Sequence, residues 1–78
     1  MSLKDEIRLR RENMDLSLSD FARLSGINKA VLSRWENGKR RPTIDGLMKL
    51  AKFFGVTETE LLHPKAENEE NEDNKNVQ

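Results

Sequence analysis

The middle of the chain contains two short helical patterns separated by a link of only three residues, 26–28. Ser17, followed three residues later by Asp20, is typical of a helix N-terminus, and Gly26 can end that helix in a left-handed turn. These signals predict helix 2 over about 18–25, with helix 3 beginning directly after the link. Because a three-residue link that contains glycine forces two short helices to cross steeply, the pattern predicts a helix-turn-helix.

Helix 3 is predicted over about 28–36, and its two faces differ in composition. Asn28 is the predicted N-cap, and Gly38 lies just beyond the predicted end. Leu32 and Trp35 fall on one face, which we expect to point into the core. The outward positions are small, polar or basic: Lys29, Ala30, Ser33 and Arg34.

Helical spacing of apolar residues continues on both sides of this motif. Helix 1 is predicted to begin at a capping box formed by Ser2 and Asp5 and to run to about Asn13. The apolar residues expected to face the core are Leu3, Ile7 and Met14 in helix 1, and Phe21, Ala22 and Leu24 in helix 2.

Two further helices follow in the C-terminal half. Thr43 is the predicted N-cap of helix 4 and Gly55 its terminator, while Thr57 and Glu60 form a capping box for a short helix 5. The apolar residues are Ile44, Leu47, Met48, Leu50, Ala51 and Phe54 in helix 4, and Leu61 and Leu62 in helix 5. Because no segment has the alternating pattern of a strand, the predicted fold class is all-α with five helices.

The chain has 78 residues and no cysteine, so it must stabilise one small core by packing alone. Up to Pro64 there are 12 Lys and Arg against 9 Asp and Glu, a balance of +3; residues 65–78 have 2 against 5, a balance of −3. The last segment has Val77 as its only sizeable apolar side chain, too little to offset the entropy of ordering. We predict a folded domain over 1–64 and a disordered acidic tail over 65–78.

Catalysis and membrane insertion find no support in the sequence. His63 is the only histidine, and no phosphate-binding glycine loop, cysteine nucleophile or cluster of His and acidic ligands is present. We therefore expect no enzyme activity, metal or cofactor. No apolar run approaches the roughly 20 residues of a membrane span, and the chain does not begin with a signal-peptide pattern. These features predict a cytoplasmic protein without a membrane partner.

A longer pattern surrounds the predicted helix-turn-helix. Trp35-Glu36-Asn37-Gly38 is followed by a basic loop, by Pro42 and by the helix 4 pattern. The other segments of the pattern are Leu16-Ser17, Phe21-Ala22, Gly26-Ile27, Leu32-Ser33-Arg34, Leu47, Leu50-Ala51, Gly55-Val56 and Leu61-Leu62. The stretch from Ile7 to Leu62 resembles, without a gap, the Xre family of bacterial and phage regulators, which has the helix-turn-helix fold of the Cro and CI repressors. This resemblance implies a lambda-repressor-like domain that binds double-stranded DNA.

The resemblance also implies which residues contact the DNA backbone. Ser17 and Leu18 stand at the start of helix 2, where the family most often has Gln in place of Leu18, and the N–H groups of a helix start favour anions. Asn37 and Thr43 take phosphate-binding roles by their position. Three cations of the loop between helices 3 and 4 flank the motif, and we expect them to contact phosphates as well. They are Lys39, Arg40 and Arg41.

Base recognition is assigned to the outward face of helix 3. Arg34 and Lys29 can donate to guanine O6 and N7 in the major groove, and Asn28 stands at the start of this face. Ala30 is small enough to approach a thymine methyl group, and the hydroxyl of Ser33 can contact either kind of base.

Two structural features follow from the same resemblance. Arg11 and Glu36 resemble the family's buried ion pair, which links helix 1 to the end of helix 3. A weak homodimer is expected to form on a palindromic operator through the region around helix 5. Its interface residues would be Val56, Thr57, Glu58, Thr59 and Leu62.

Taken with the outward face of helix 3, these assignments predict a sequence-specific DNA-binding transcriptional regulator, more often a repressor than an activator, encoded by a bacterium or phage. The alternative is an antitoxin-like or adaptor module that binds a protein partner, with DNA binding secondary. The neutral net charge favours that alternative, whereas the concentration of cations from Arg34 to Arg41 opposes it.

Overall fold

The computed structural model describes residues 2–64, and all regular secondary structure in that range is helical. The predicted all-α fold is therefore confirmed, with α2 and α3 separated by three residues. The helices are α1 (Leu3–Asn13), α2 (Leu18–Ser25), α3 (Lys29–Glu36), α4 (Ile44–Phe54) and α5 (Glu58–Leu62). The predicted acidic tail, 65–78, lies outside the described residues.

Local sequence signals set most of these helix ends. The side-chain oxygens of Ser17, Asn28 and Thr43 each accept a hydrogen bond from a backbone N–H in the first turn of the following helix. Thr57 and Glu60 form the predicted capping box, with the two reciprocal bonds at 2.9 and 3.1 Å. Gly26 ends α2 at φ 76°, in the left-handed region that costs glycine little.

The core receives one completely buried side chain from each helix, which is why five short helices form a single unit. These residues are Ile7, Phe21, Leu32, Leu50 and Leu61. Phe53 and Phe54 of α4 lie with their ring centroids 5.4 and 5.6 Å from that of Phe21. Such spacings are typical of favourable aromatic pairs, so this cluster fixes α4 against α2.

Gly46 permits a close approach between α4 and the end of α3. A Cβ atom built at Gly46 would lie 2.6 Å from Cη2 of the Trp35 indole, closer than any carbon contact allows. A glycine inside a helix costs roughly 1 kcal/mol relative to alanine. Its presence is therefore explained by the indole packed directly on the α4 backbone.

Several predicted details are wrong. Ser2 makes no capping bond to the backbone, because its hydroxyl donates to the Asp5 carboxylate at 2.9 Å instead. Four residues predicted to face the core are largely exposed: Met14, Leu24, Ile44 and Met48. Met14 lies after the last turn of α1, and the other three stand on sides of α2 and α4 that the rest of residues 2–64 leaves uncovered. Within residues 2–64, no helix is long and apolar enough to cross a membrane.

Candidate nucleic-acid interface

The turn between α2 and α3 is held by its own side chains. The Ile27 N–H donates to the Ser25 hydroxyl at 3.2 Å, and Ile27 itself is buried. The carboxamide oxygen of Asn28 accepts from the N–H groups of Ala30 and Val31, at 2.8 and 3.3 Å. This arrangement starts α3 immediately after the turn. It also occupies the oxygen of Asn28, so any base contact by this predicted reader has to come from its amide nitrogen.

The structure shows the two faces of α3 that the sequence predicts. Leu32 and Trp35 are buried on the inner side, joined there by Glu36. On the other side, four of the five predicted base-reading residues are exposed and Ser33 is half-buried. The exposed residues are Asn28, Lys29, Ala30 and Arg34. The outer face is thus small, polar and basic, and it is open to a partner.

The predicted Arg11–Glu36 pair is present. Arg11 Nε donates to Glu36 Oε2 at 2.8 Å and Nη2 donates to Oε1 at 3.1 Å, a two-point contact, while Nη1 donates to the Leu16 carbonyl at 2.7 Å. The Glu36 carboxylate raises the pKa of Arg11 through these hydrogen bonds. This junction joins α1 to the last residue of α3 and to the segment before α2.

Arg8, which was not predicted as a site residue, also contacts Glu36 at this junction. Its Nε lies 3.5 Å from Glu36 Oε1, and its Nη2 donates to the Glu36 carbonyl at 3.4 Å and to Asn37 Oδ1 at 3.2 Å. The signal was available, since Arg8 precedes Arg11 by three residues and therefore shares its side of α1.

A second charged pair on α1 was also not predicted. Arg10 Nε donates to Glu6 Oε2 at 2.6 Å, and Glu6 is buried. The Arg10 guanidinium also lies 6.0 Å from the centroid of the Phe54 ring. The Glu-Arg spacing of four residues could have indicated this pair. The contact of Arg10 with Phe54 connects α1 to α4. This pair therefore contributes to the fold and is not part of the candidate interface.

The loop between α3 and α4 is held against the last turn of α3. The backbone N–H groups of Lys39 and Arg40 donate to the Arg34 carbonyl at 2.9 and 3.4 Å. Gly38 turns the chain at φ 72°, with the aliphatic stem of Lys4 next to it. The loop cations are exposed beside the outer face of α3: Lys39, Arg40 and Arg41. Because these charges are exposed and lie on a loop, they can contact successive phosphates of a DNA backbone.

Asn37 and Thr43, the other predicted phosphate ligands of this region, both make internal contacts. The amide nitrogen of Asn37 donates to the Ser33 carbonyl at 2.9 Å and to the Ser33 hydroxyl at 3.3 Å, while its oxygen accepts from Arg8. The Thr43 hydroxyl accepts from the Gly46 N–H at 3.1 Å. A hydroxyl that accepts one bond keeps its hydrogen, so Thr43 can still donate to a phosphate.

The start of α2 presents a mixed environment. The Ser17 hydroxyl accepts from the Asp20 N–H at 3.0 Å, and the side chain of Leu18 packs against the core. A phosphate at this helix start would therefore meet backbone N–H groups and the hydroxyl of Ser17, but no polar side chain at position 18. Asp20 places a carboxylate in the same turn, paired with Arg23 at 3.2 Å.

The residues predicted for a dimer interface differ in how much surface they offer. Val56 and Leu62 are half-buried, and the Thr57 hydroxyl caps α5. Glu58 and Thr59 are exposed in the first turn of that helix. Leu61 is completely buried in the monomer. Among residues 2–64, no group of three or more His, Asp or Glu side chains is placed to hold a metal ion.

A family model described as "Helix-turn-helix" matches residues 7–61 of the chain. Among curated relatives, the HTH-type transcriptional activator BcrR of Enterococcus faecalis is 31% identical over 62 residues, which are 80% of this chain and 30% of BcrR. The uncharacterized HTH-type transcriptional regulator y4dJ of Sinorhizobium fredii is 40% identical over 57 residues, 73% of each protein. The chain thus spans under a third of BcrR and about three quarters of y4dJ.

Among solved structures, the P22 c2 repressor in complex with a synthetic operator superposes with a TM-score of 0.73. The superposition covers 81% of this chain and 96% of the repressor chain, at 22% sequence identity. At that identity the similarity concerns the fold. It shows that the five helices of this chain are arranged as in a lambda-type repressor domain.

Proposed function

The chain belongs to the helix-turn-helix family, and from that premise we propose that it is a sequence-specific DNA-binding transcriptional regulator that acts as a repressor. The observation that carries the proposal is the division of α3 into a buried side and an open, basic side next to an exposed cationic loop. An outward helix of this kind fits the major groove, and phosphate contacts on either side of it would fix its register.

Within this model, base recognition and backbone contact are separate tasks. The outer residues of α3 read base edges, with Arg34 and Lys29 suited to guanine. Phosphates are held by the start of α2 and by the loop 37–43, where the charges are exposed. The family of regulators to which the chain belongs supports a binding role in place of catalysis.

One α3 reads only a few base pairs, so we propose that two copies bind a palindromic operator. Half-sites would lie about 34 Å apart, one turn of DNA. The half-buried Val56 and Leu62 offer little apolar area, which fits a dimer that is weak in free solution and complete on DNA.

The test begins with selection of bound duplexes from a random pool, followed by affinity measurements on the selected site at several salt concentrations. We expect log affinity to fall with log salt by about 0.9 per neutralised phosphate. The triple variant Lys39→Ala, Arg40→Ala, Arg41→Ala should have a flatter slope. The matched control Lys49→Ala, Lys52→Ala removes exposed charges from α4 and should leave the slope unchanged. No selectable duplex at low salt would overturn the proposal.

A protein-binding module is the second candidate, because an exposed leucine and a half-buried phenylalanine line one shallow groove. The groove is formed by Leu24 and Phe53 together with Lys49 and Lys52. Such a surface suits a partner with acidic and apolar side chains. This candidate predicts that Leu24→Ser abolishes partner capture and leaves DNA affinity unchanged.

A further inference from the structure

A chain of hydrogen bonds runs from α1 to the outer face of α3. Arg8 donates to Asn37 Oδ1 at 3.2 Å, and Asn37 Nδ2 donates to Ser33 at two atoms, its carbonyl at 2.9 Å and its hydroxyl at 3.3 Å. Ser33 is one of the residues placed on the reading face. The hydrogen-bond chain therefore connects a residue of α1 with one on that face.

The chemistry of the partners fixes the direction of every bond in this chain. The Arg8 guanidinium can only donate, so the Asn37 atom beside it must be the oxygen. The nitrogen then faces the Ser33 carbonyl, which can only accept. The same nitrogen donates to the Ser33 hydroxyl, whose oxygen acts as the acceptor. The Ser33 hydroxyl hydrogen is not used in that contact and remains to be donated.

We propose that Arg8 and Asn37 are positioning residues that present the Ser33 hydroxyl to DNA as a hydrogen-bond donor, so that Ser33 selects a base edge carrying an acceptor. This inference rests on the proposed DNA-binding function. Acceptors in the major groove are guanine O6 and N7, adenine N7 and thymine O4, whereas the cytosine amino group is only a donor. The bond accepted from Asn37 occupies one of the two lone pairs of the hydroxyl oxygen and polarises the O–H group, which favours donation. Without this bond the hydroxyl rotates freely and reads donors and acceptors alike.

Arg8 differs from the neighbouring Arg11 in its exposure and in the residue that it contacts most closely. Arg11 holds both Glu36 oxygens at 2.8 and 3.1 Å, and its side chain is largely buried. The Arg8 side chain is 45% exposed, and its contact with the Asn37 oxygen, at 3.2 Å, is shorter than its contacts with Glu36. A change at Arg8 should therefore alter the orientation of Asn37 more than the stability of the domain.

The first arm of the experiment uses Arg8→Lys, which keeps the charge and removes the planar fork. Ser33→Ala identifies the base pair that Ser33 contacts on the duplex selected by the wild-type protein. At that pair, Arg8→Lys should lose about threefold to tenfold in preference, the value of one hydrogen bond. Affinity for random duplex should stay within about twofold, because no charge is lost. The matched control Arg10→Lys makes the same replacement on the same helix and should keep the preference.

The second arm uses Asn37→Asp, which replaces the donor facing Ser33 by an acceptor. The Ser33 hydroxyl would then donate inwards, and the preference at its base pair should move from acceptor edges to the cytosine amino group. The side-chain amide signals of Asn37 in the free protein, followed by NMR, should shift in Arg8→Lys and not in Arg10→Lys. A selected duplex on which Arg8→Lys and Asn37→Asp retain the wild-type preference would overturn the positioning role alone. Failure to select any duplex would overturn the DNA-binding function itself, whatever the amide signals show.

Discussion

Trp35 and Glu36 are neighbours in sequence, equally buried at 5% exposure, and anchor the end of α3 by opposite means. Trp35 packs its indole directly on the α4 backbone at Gly46, a contact of shape. Glu36 binds Arg11 and Arg8 of α1, a contact of charge. Equal burial therefore does not imply equal sensitivity to substitution. We expect removal of one partner to weaken the charged anchor and the addition of a single methyl group to weaken the packed anchor.

The largest expected effect is at the charged anchor. Glu36→Ala leaves the Arg11 guanidinium without its carboxylate in a buried place, which should lower the free energy of unfolding by about 3–5 kcal/mol. Urea denaturation measures this loss. The double variant Arg11→Met, Glu36→Leu should recover most of it, because an apolar pair replaces two buried charges. A loss near that of an exposed pair, about 0–1 kcal/mol, would show that the junction is solvated.

The pair on the opposite side of α1 extends the comparison to a more exposed partner. The Arg10 side chain is more exposed than that of Arg11, so Arg10→Ala leaves the Glu6 carboxylate closer to solvent. We expect a loss of about 1–3 kcal/mol, with part of it from the lost contact with Phe54. DNA affinity, corrected for folding, should not change. A loss as large as that of Glu36→Ala would contradict the dependence on exposure.

The packed anchor is tested by Gly46→Ala. Overpacking against a rigid indole costs about 1–3 kcal/mol, and alanine returns roughly 1 kcal/mol of helix propensity, so a net loss of up to about 2 kcal/mol is expected. Thermal or urea denaturation and the fluorescence of Trp35 report on it together. Lys49→Ala, at an exposed position of the same helix, should change stability by less than about 0.5 kcal/mol. A stabilised Gly46→Ala with unchanged fluorescence would show that the indole has room to move.

The smallest effect is expected for a charge pair on the surface. The Arg23 guanidinium, followed by the Ser17 hydroxyl, holds the pKa of Asp20 below its ordinary value of 3.8. A depressed folded-state pKa adds stability above the unfolded value, and this contribution disappears as the pH falls through the folded value. Between pH 5 and 3, wild-type protein should therefore lose slightly more thermal stability than Asp20→Asn. Parallel curves for the two proteins would remove Asp20 from the acid response.

Local signals in the sequence account for much of the fold. Ser17, Asn28, Thr43 and the box of Thr57 and Glu60 cap the helices as predicted, because each cap depends on residues within one turn. The exposure of Ile44 and Met48 could not be predicted in this way, since it depends on which neighbouring helix covers each side of α4.

In the candidate site, too, only the features with a local sequence signal could be predicted from the residues themselves. The open face of α3 follows from helical spacing alone, and the Arg11–Glu36 contact was available only through the family resemblance. The relay through Arg8 and Asn37 depends on how α1 lies across the end of α3, at a separation of 29 residues. Long-range geometry of this kind has no local signal, although the shared side of Arg8 and Arg11 gave a partial indication.

The two anchors of α3, Trp35 and Glu36, lie on its inner side. Positions 29, 30 and 34 are exposed and contribute no side chain to the core. Substitutions at surface positions usually change stability by no more than about 0.5 kcal/mol. Under the proposed function, point changes at these positions would alter target choice without loss of the fold, so a change of target would not require compensating mutations elsewhere.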